Sequence, residues 1–160
     1  MAKLIFSVLM IIFWWMLHAL QIDEEAAMRV VHEAKRAIDR AAHAAAQQVD
    51  REKLEMGIVS IDPDVAGQTA LSYLSYNLSL DAGLEPLPGS FLRDPVQMIA
   101  FEIINEDSSF PYTYRNPQYD YEVTLDRPGV VLIAHVKYPR LFGVLAPVEW
   151  ELKGAAELVF

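Results

Sequence analysis

Four histidines and a scatter of acidic residues are the side chains best suited to metal binding or acid–base catalysis in this chain. His32-Glu33 matches the start of the helical zinc motif His-Glu-x-x-His, but Arg36 stands where the second histidine would be. His32 and His43 are eleven residues apart on a predicted helix, so they share a face but lie about 16 Å from each other. The two cannot hold one ion, and we expect neither a metal site nor a cofactor.

Other catalytic patterns are also missing from the sequence. The chain has no cysteine, which removes thiol nucleophiles, thiolate metal ligands and disulfides. It contains no glycine-rich phosphate loop and no nucleophile elbow. The acids Asp62, Asp64, Glu106 and Asp107 lack the spacing of a calcium loop and are interpreted as cap or turn residues. We predict no catalytic residues, no enzymatic activity and no small-molecule substrate.

An aromatic cluster is the best candidate for a recognition surface. It is centred on Phe110, Tyr112 and Tyr114, in a stretch from 108 to 117 that is predicted to be a loop. Tyrosine is favoured at binding surfaces because its large ring provides contact area at a small loss of side-chain entropy. The alternative is that these rings cover the open face of a small sheet.

The net charge of −9 bears on the class of partner. Residues 57–160 contain 14 acidic and 6 basic side chains, a net charge of −8. Nucleic-acid binding depends on lysine and arginine at the phosphates, so this balance argues against it. We expect no nucleic-acid partner.

The N-terminal region is the strongest signal in the sequence. Leu4 to Leu20 is an apolar run interrupted only by Ser7 and His18, about 25 Å long as a helix. We predict a membrane anchor over residues 1–22. Its apolar members are Leu4, Ile5, Phe6, Val8, Leu9, Ile11, Ile12, Phe13, Trp14, Trp15, Leu17 and Leu20.

Two questions follow from an N-terminal apolar segment: whether it is cleaved, and how it is oriented. A cleaved signal peptide is the alternative to an anchor, but Leu17-His18-Ala19 has leucine where a cleavage site needs a small residue. Lys3 and the amino terminus favour an N-terminus inside the cell and a C-terminal domain outside it. We therefore predict a single-pass protein of the cell membrane.

Residues 23–56 are predicted to continue the same helix outside the membrane, because 23–55 contain neither proline nor glycine. Small and aliphatic residues recur along it at steps of three and four. They form a predicted helix-packing seam of Ala27, Val31, Ala34, Ile38, Ala41 and Ala45. This seam would pack against the chain's own C-terminal domain or against another anchored helix, or it would belong to a mostly solvated stalk.

Residues 57–160 are predicted to form a small α+β head domain. Asp62-Pro63-Asp64 is typical of a helix start, and a second helix is expected from Pro63 to about Leu80. The pattern then changes to a period of two, with strands expected at 97–104, 119–125, 130–138 and 148–160. For 97–104 the alternative is a helix capped by Asp94-Pro95. We expect an antiparallel sheet with helix over one face and water on the other.

This order of elements, with the Arg/Ala-rich stretch Ala34 to Ala46, resembles TadE-like pilin-related proteins of Tad/Flp-type pilus systems. The resemblance implies a pilin-like fold, a membrane-retained accessory role in pilus assembly, and partners among other anchored helices, either copies of this chain or pilus-system proteins. The leading hypothesis is a non-enzymatic, membrane-anchored assembly component of an extracytoplasmic pilus or secretion-type machine. The alternative is an anchored receptor-like or regulatory module whose head binds a partner or ligand.

Overall fold

The computed structural model describes residues 1–142 and 145–159. Three helices come first and five strands follow, so the α+β class expected from the sequence is confirmed. The helices are α1 (Ala2–Ala46), α2 (Arg51–Glu55) and α3 (Pro63–Leu78). The strands are β1 (Gln97–Ile104), β2 (Tyr112–Asn116), β3 (Tyr121–Leu125), β4 (Gly129–Tyr138) and β5 (Val148–Glu157), with a 3₁₀ turn at Pro117–Tyr119.

Helix α1 has two parts with different surroundings. All side chains from 1 to 18 are exposed, whereas ten residues between 23 and 46 are buried. The buried stripe packs on α3, β4 and β5. Its members are Asp23, Ala27, Val30, Ala34, Ala37, Ile38, Ala41, Ala42, Ala45 and Ala46.

The expected continuation of α1 over residues 23–56 is wrong beyond Ala46, because α1 ends there and a separate helix starts at Arg51. Between them the backbone pairs with the segment before α3: Asp62 N–H donates to Gln48 O at 2.7 Å, and Asp50 N–H donates to Ser60 O at 2.9 Å. Asp50 then caps α2 by accepting from Lys53 N–H at 3.1 Å. These long-range hydrogen bonds replace helical ones, although the local sequence favours helix.

Helix α3 starts as the sequence predicts. Asp62 is its N-cap, accepts hydrogen bonds from the N–H groups of Asp64 and Val65, and is followed by proline at the first helical position. The helix ends two residues earlier than expected, at Leu78, because Ser79 adopts a left-handed conformation with φ of 53°.

The main sheet has three antiparallel strands in the order β1-β4-β5. Its central strand β4 is buried on both faces: Leu132 and Val136 contact the helix side, and Val131 and Ile133 contact the other side. Helix α1 approaches strand β5 closely at Gly154. A Cβ at Gly154 of β5 would lie only 2.9 Å from Ile38 Cγ2 of α1.

A two-stranded hairpin of β2 and β3 covers part of the second face of the sheet, over Val131 and Ile133, which are both 0% exposed. The expected loop at 108–117 is wrong, because this stretch contains strand β2. The expectation of water on the outer face holds only in part: Glu149 and Glu151 of β5 are exposed, whereas the part under the hairpin is covered. Strand β2 was missed because its tyrosines and threonine resemble a polar loop, whereas β3 lies within the strand expected at 119–125.

The part of α1 from Ala27 to Ala46 shares its core with the rest of the domain. The buried clusters on the helix side combine α1 residues such as Ala34 and Ala45 with Leu74 of α3 and Leu132 of β4. The expected boundary at residue 57, between an extramembrane helix and a head domain, thus separates residues that pack together.

Candidate functional site: the junction between the apolar helix and the head

The projecting part of α1 is the most unusual surface of the molecule. The predicted anchor residues from Leu4 to Leu17 are each between 47% and 68% exposed, and only Leu20 is half-buried. Leaving so many large apolar side chains in water is unfavourable by roughly 1.5–3 kcal/mol each. By length and composition α1 could cross a membrane over this part, which fits a transmembrane or signal-anchor helix.

Asp23 marks the end of the apolar part and is only 2% exposed. Arg140 Nη1 donates to its Oδ2 at 3.1 Å, and the backbone N–H of Leu141 donates to its Oδ1 at 2.6 Å. The neighbouring Glu24 accepts a second hydrogen bond from Arg140 Nη1, at 2.8 Å. A buried carboxylate is stable only when paired and hydrogen-bonded, and here both oxygens have partners.

Arg140 is supplied by the connection between β4 and β5. Its backbone has φ of 56°, which an L-residue rarely adopts and which needs surrounding contacts to persist. Its Nε donates to Ala146 O at 3.1 Å, so the same guanidinium joins both sides of this connection to α1. The hydrogen bond to Glu24 and then the one to Asp23 raise the pKa of Arg140, so it stays charged at every ordinary pH.

The tyrosine at the end of β4 completes the junction. Tyr138 is buried beside the ion pair, and burial followed by the negative charge of Asp23 raises the pKa of its phenol. A groove of about 570 Å³ opens next to it. Its lining comes from α1 and from the segments around residues 91 and 140, and includes Ile22, Arg29, Phe91, Arg93, Tyr138 and Leu141.

A larger cavity of about 690 Å³ lies at the other end of the packed part of α1. Polar and acidic residues, including Gln47, Asp50 and Asp62, line it together with Val49 and Val65. Among residues 1–142 and 145–159, no three His, Cys, Asp or Glu side chains are grouped closely enough to hold a metal ion. His32 and Arg36 are both exposed on α1.

The predicted helix-packing seam lies in the core of the chain. Ala34, Ile38, Ala41 and Ala45 are 0% exposed, Ala27 is 3% exposed, and Val31 is half-buried at the edge. Of the three alternatives, the seam thus packs against the chain's own domain, on the sheet and α3. Another helix cannot lie on the same residues, because they are already covered.

The predicted aromatic surface is divided by the fold. Phe110 and Tyr114 pack under the hairpin against the sheet, and only Tyr112 of the three is exposed, at 36%. Tyr121 belongs to the same layer, where burial raises the pKa of its phenol. The alternative that the rings cover the sheet therefore describes most of this cluster.

Sequence reasoning did not single out the Asp23–Arg140 pair. The two residues are 117 positions apart. In the sequence, Asp23 is only the first of three consecutive acidic residues, Asp23, Glu24 and Glu25, that follow the apolar run. The sequence feature that could have drawn attention to Arg140 is the uncharged stretch that directly follows it, from Leu141 to Val148, in an otherwise acidic domain.

Comparison with protein-family models, with curated proteins and with solved structures gave no match to this chain. The class of this protein is therefore given by its fold: an α+β domain that follows an apolar N-terminal helix that could span a membrane.

Proposed function

We propose that this protein is a single-pass, membrane-anchored structural component with a pilin-like design, which contributes to an extracytoplasmic pilus or secretion-type machine without catalysing a reaction. The observation that carries the proposal is the continuity of α1. One helix of 45 residues has an apolar exposed part and a part buried in the domain, with no break between them. A head held in this way cannot swing freely about its anchor.

Lateral contacts with other anchored helices would use the projecting part of α1 rather than the alanine seam. Trp14 and Trp15 lie in the middle of the apolar run, where aromatic belts at the membrane surface do not explain them. Trp14 also contacts His18, with ring centroids 4.4 Å apart. Large rings and a polar side chain at this depth favour a contact with another helix, either a second copy or a protein of the same machine.

The proposed orientation places the amino terminus inside and the acidic head outside. Lys3 is the basic residue at the amino-terminal end of the run, and Asp23, Glu24 and Glu25 follow its other end. Basic residues are retained on the inner side more strongly than acidic residues are excluded from it, so Lys3 decides the proposed orientation.

Membrane extraction tests the anchor. The wild-type chain should stay with the membrane after high-salt and alkaline washes, and its intact mass should include residues 1–22. Replacing Leu9 and Phe13 together by arginine should release the protein, because each central arginine opposes insertion by about 2.5–3.5 kcal/mol. The matched control places two arginines at exposed Tyr73 and Tyr76 on α3 and should leave the protein in the membrane.

Self-association or partner contact through α1 is tested by cysteine cross-linking, since the natural chain has no cysteine to interfere. Single cysteines at successive positions from 8 to 17 should cross-link with a helical period in native membranes. A cysteine at buried Ala41 should not cross-link. Uniform absence of cross-links along the run would contradict an assembly role while leaving anchorage untouched.

A second candidate, an anchored binding module, is favoured by one surface of the head. Tyr73 and Tyr76 are 45% and 86% exposed on α3 and line a groove of about 340 Å³ with Arg40, Ser72 and Asn77. Arg40 Nη1 donates to Asn77 Oδ1 at 2.9 Å, which holds this side of α3 against α1. If Tyr73→Ala and Tyr76→Ala abolish capture of a partner and changes in the apolar run do not, the binding module replaces the assembly component.

A further inference from the structure

We propose that the connection between β4 and β5 is a second membrane contact, which inserts Leu141, Phe142 and Leu145 into the lipid surface beside α1. The inference rests on the proposed anchorage of α1 and adds a second point at which the head contacts the bilayer. The occupant of this apolar surface is lipid rather than another protein.

The first observation is composition. Leu141 to Val148 is a stretch of eight residues without a charged or hydrogen-bonding side chain, between Arg140 and Glu149, in a domain of net charge −8. Leu141, Phe142 and Leu145 are 60%, 50% and 44% exposed. Solvent-exposed loops normally contain polar and turn-forming residues, so an apolar tip needs a partner that covers it.

The second observation is position. Leu141 N–H and Arg140 Nη1 both bind Asp23, so the connection meets α1 at the residue that directly follows the predicted anchor, residues 1–22. Any bilayer that accepts residues 2–22 must therefore have its surface near this connection. Continuity with the anchor argues for lipid as the occupant.

The third observation is the partial cover on α1 itself. Side chains 1 to 18 are exposed, but Ala19 and Leu20 are half-buried. These residues precede Asp23 by four and three positions and so lie on the same helix face, about 4.5–6 Å further toward the membrane. The cover on this face of α1 thus extends about one helical turn beyond Asp23, into the apolar run.

The proposed lipid contact explains why Arg140 is paired with Asp23. A charged arginine next to lipid is unfavourable unless its charge is neutralised, and Asp23 and Glu24 neutralise it on the head side of the boundary. Because the pair is buried, the exposed side chains described at 141, 142 and 145 are all apolar. Interfacial segments of this kind enter the region between headgroups and acyl chains by about 5–10 Å.

Spin labels test the contact in the full-length chain, reconstituted in phosphatidylcholine vesicles. A single cysteine replaces Phe142, Val8 within the anchor, or Tyr76 on the far side of the head, one at a time. Oxygen partitions into lipid and a nickel chelate stays in water, so their relative collision rates report depth. The label at 142 should be more accessible to oxygen than to nickel, as at 8, whereas the label at 76 should show the reverse.

The outcomes separate the two proposals. If position 8 reports lipid and position 142 reports water, the second membrane contact is wrong and anchorage stands. If both report water, the proposed anchorage fails as well. If position 142 is shielded from both reagents and shows spin–spin broadening, a second copy covers the tip and the lipid contact is overturned.

Discussion

Arg140 Nη1 lies 3.1 Å from Asp23 Oδ2, joining the connection between β4 and β5 to the residue at which α1 leaves the head. The side chains of the two residues are 10% and 3% exposed. The pair lies close to the proposed membrane surface and ties the connection between β4 and β5 to α1 there.

Asp23→Ala should destabilise the head, because Arg140 loses one charged partner and Leu141 N–H loses its acceptor. We expect the melting temperature in detergent, followed by circular dichroism, to fall by several degrees. Glu24→Gln is the matched control and should change it little, since the Glu24 side chain is 59% exposed. Equal shifts for the two variants would contradict a special role for Asp23.

Removing the whole of α1 should prevent folding. A fragment of residues 57–160 loses Ile38, Ala41 and Ala45, which are 0% exposed and cover the helix side of the sheet. We expect this fragment to be aggregated or unfolded by size exclusion and near-ultraviolet circular dichroism. The fragment 23–160 keeps the shared core and should be folded and soluble without detergent. A cooperative unfolding transition for 57–160 would refute the shared core.

Gly154→Ala should destabilise the packing of α1 on the sheet. The added Cβ would meet Ile38 Cγ2 at 2.9 Å and Asp39 Oδ1 at 3.1 Å, and such overpacking costs about 1–3 kcal/mol in the free energy of unfolding. Gly67→Ala on α3 is the control: its nearest neighbour is Phe101 Cε1 at 3.9 Å. It should stabilise the protein by about 0.5–1 kcal/mol through helix propensity. Urea unfolding measures both, and a stabilising Gly154→Ala would disprove the close packing.

Asn105 satisfies both backbone groups of buried Ile61. Its Oδ1 accepts from Ile61 N–H at 2.9 Å, and its Nδ2 donates to Ile61 O at 2.9 Å. Asn105→Ala leaves both groups without these partners and should lower the free energy of unfolding by about 1–3 kcal/mol. Asn105→Asp keeps only an acceptor and places a carboxylate against the carbonyl oxygen. It should not restore stability, and full stability of Asn105→Asp in urea unfolding would contradict the paired arrangement.

Acid stability should depend on Glu106. Lys53 Nζ lies 2.6 Å from Glu106 Oε1, and this hydrogen bond, followed by one from Ser60, lowers the pKa of Glu106 from 4.5 to about 2. A lowered pKa in the folded state means that the unfolded chain binds the proton more readily. The stabilisation is therefore complete above about pH 4.5 and is lost as the pH falls toward 2.

Carboxyl NMR titration should show Glu106 ionising well below the ordinary glutamate value of 4.5. In Lys53→Met its pKa should rise toward the ordinary value, and the melting temperature should fall less between pH 5 and pH 2.5 than in the wild type. Lys35→Met is the matched control, since Lys35 pairs with Asp39 elsewhere on α1. An unchanged Glu106 pKa in Lys53→Met would rule out the ion pair as the cause.

Local patterns were sufficient for much of the fold. The cap at Asp62 and Pro63, the alternation in β5 and the apolar run of β4 each predict an element that the structure contains. They succeed because capping and side-chain alternation act over a few residues. The apolar exposed part of α1 was evident for the same reason, since a continuous run of large apolar residues has few structural explanations.

Tertiary contacts decided the rest. Alanines suited to packing against any helix pack against the chain's own sheet. The helix ends at Ala46 because the backbone of residue 48 pairs with residue 62 and that of residue 50 pairs with residue 60. Asp23 becomes a buried partner of Arg140 only when the connection between β4 and β5 lies beside it. The sequence by itself determined the class of each element and the apolar nature of the amino-terminal helix. Which surfaces meet was decided by the folded chain, because burial depends on residues far apart in sequence.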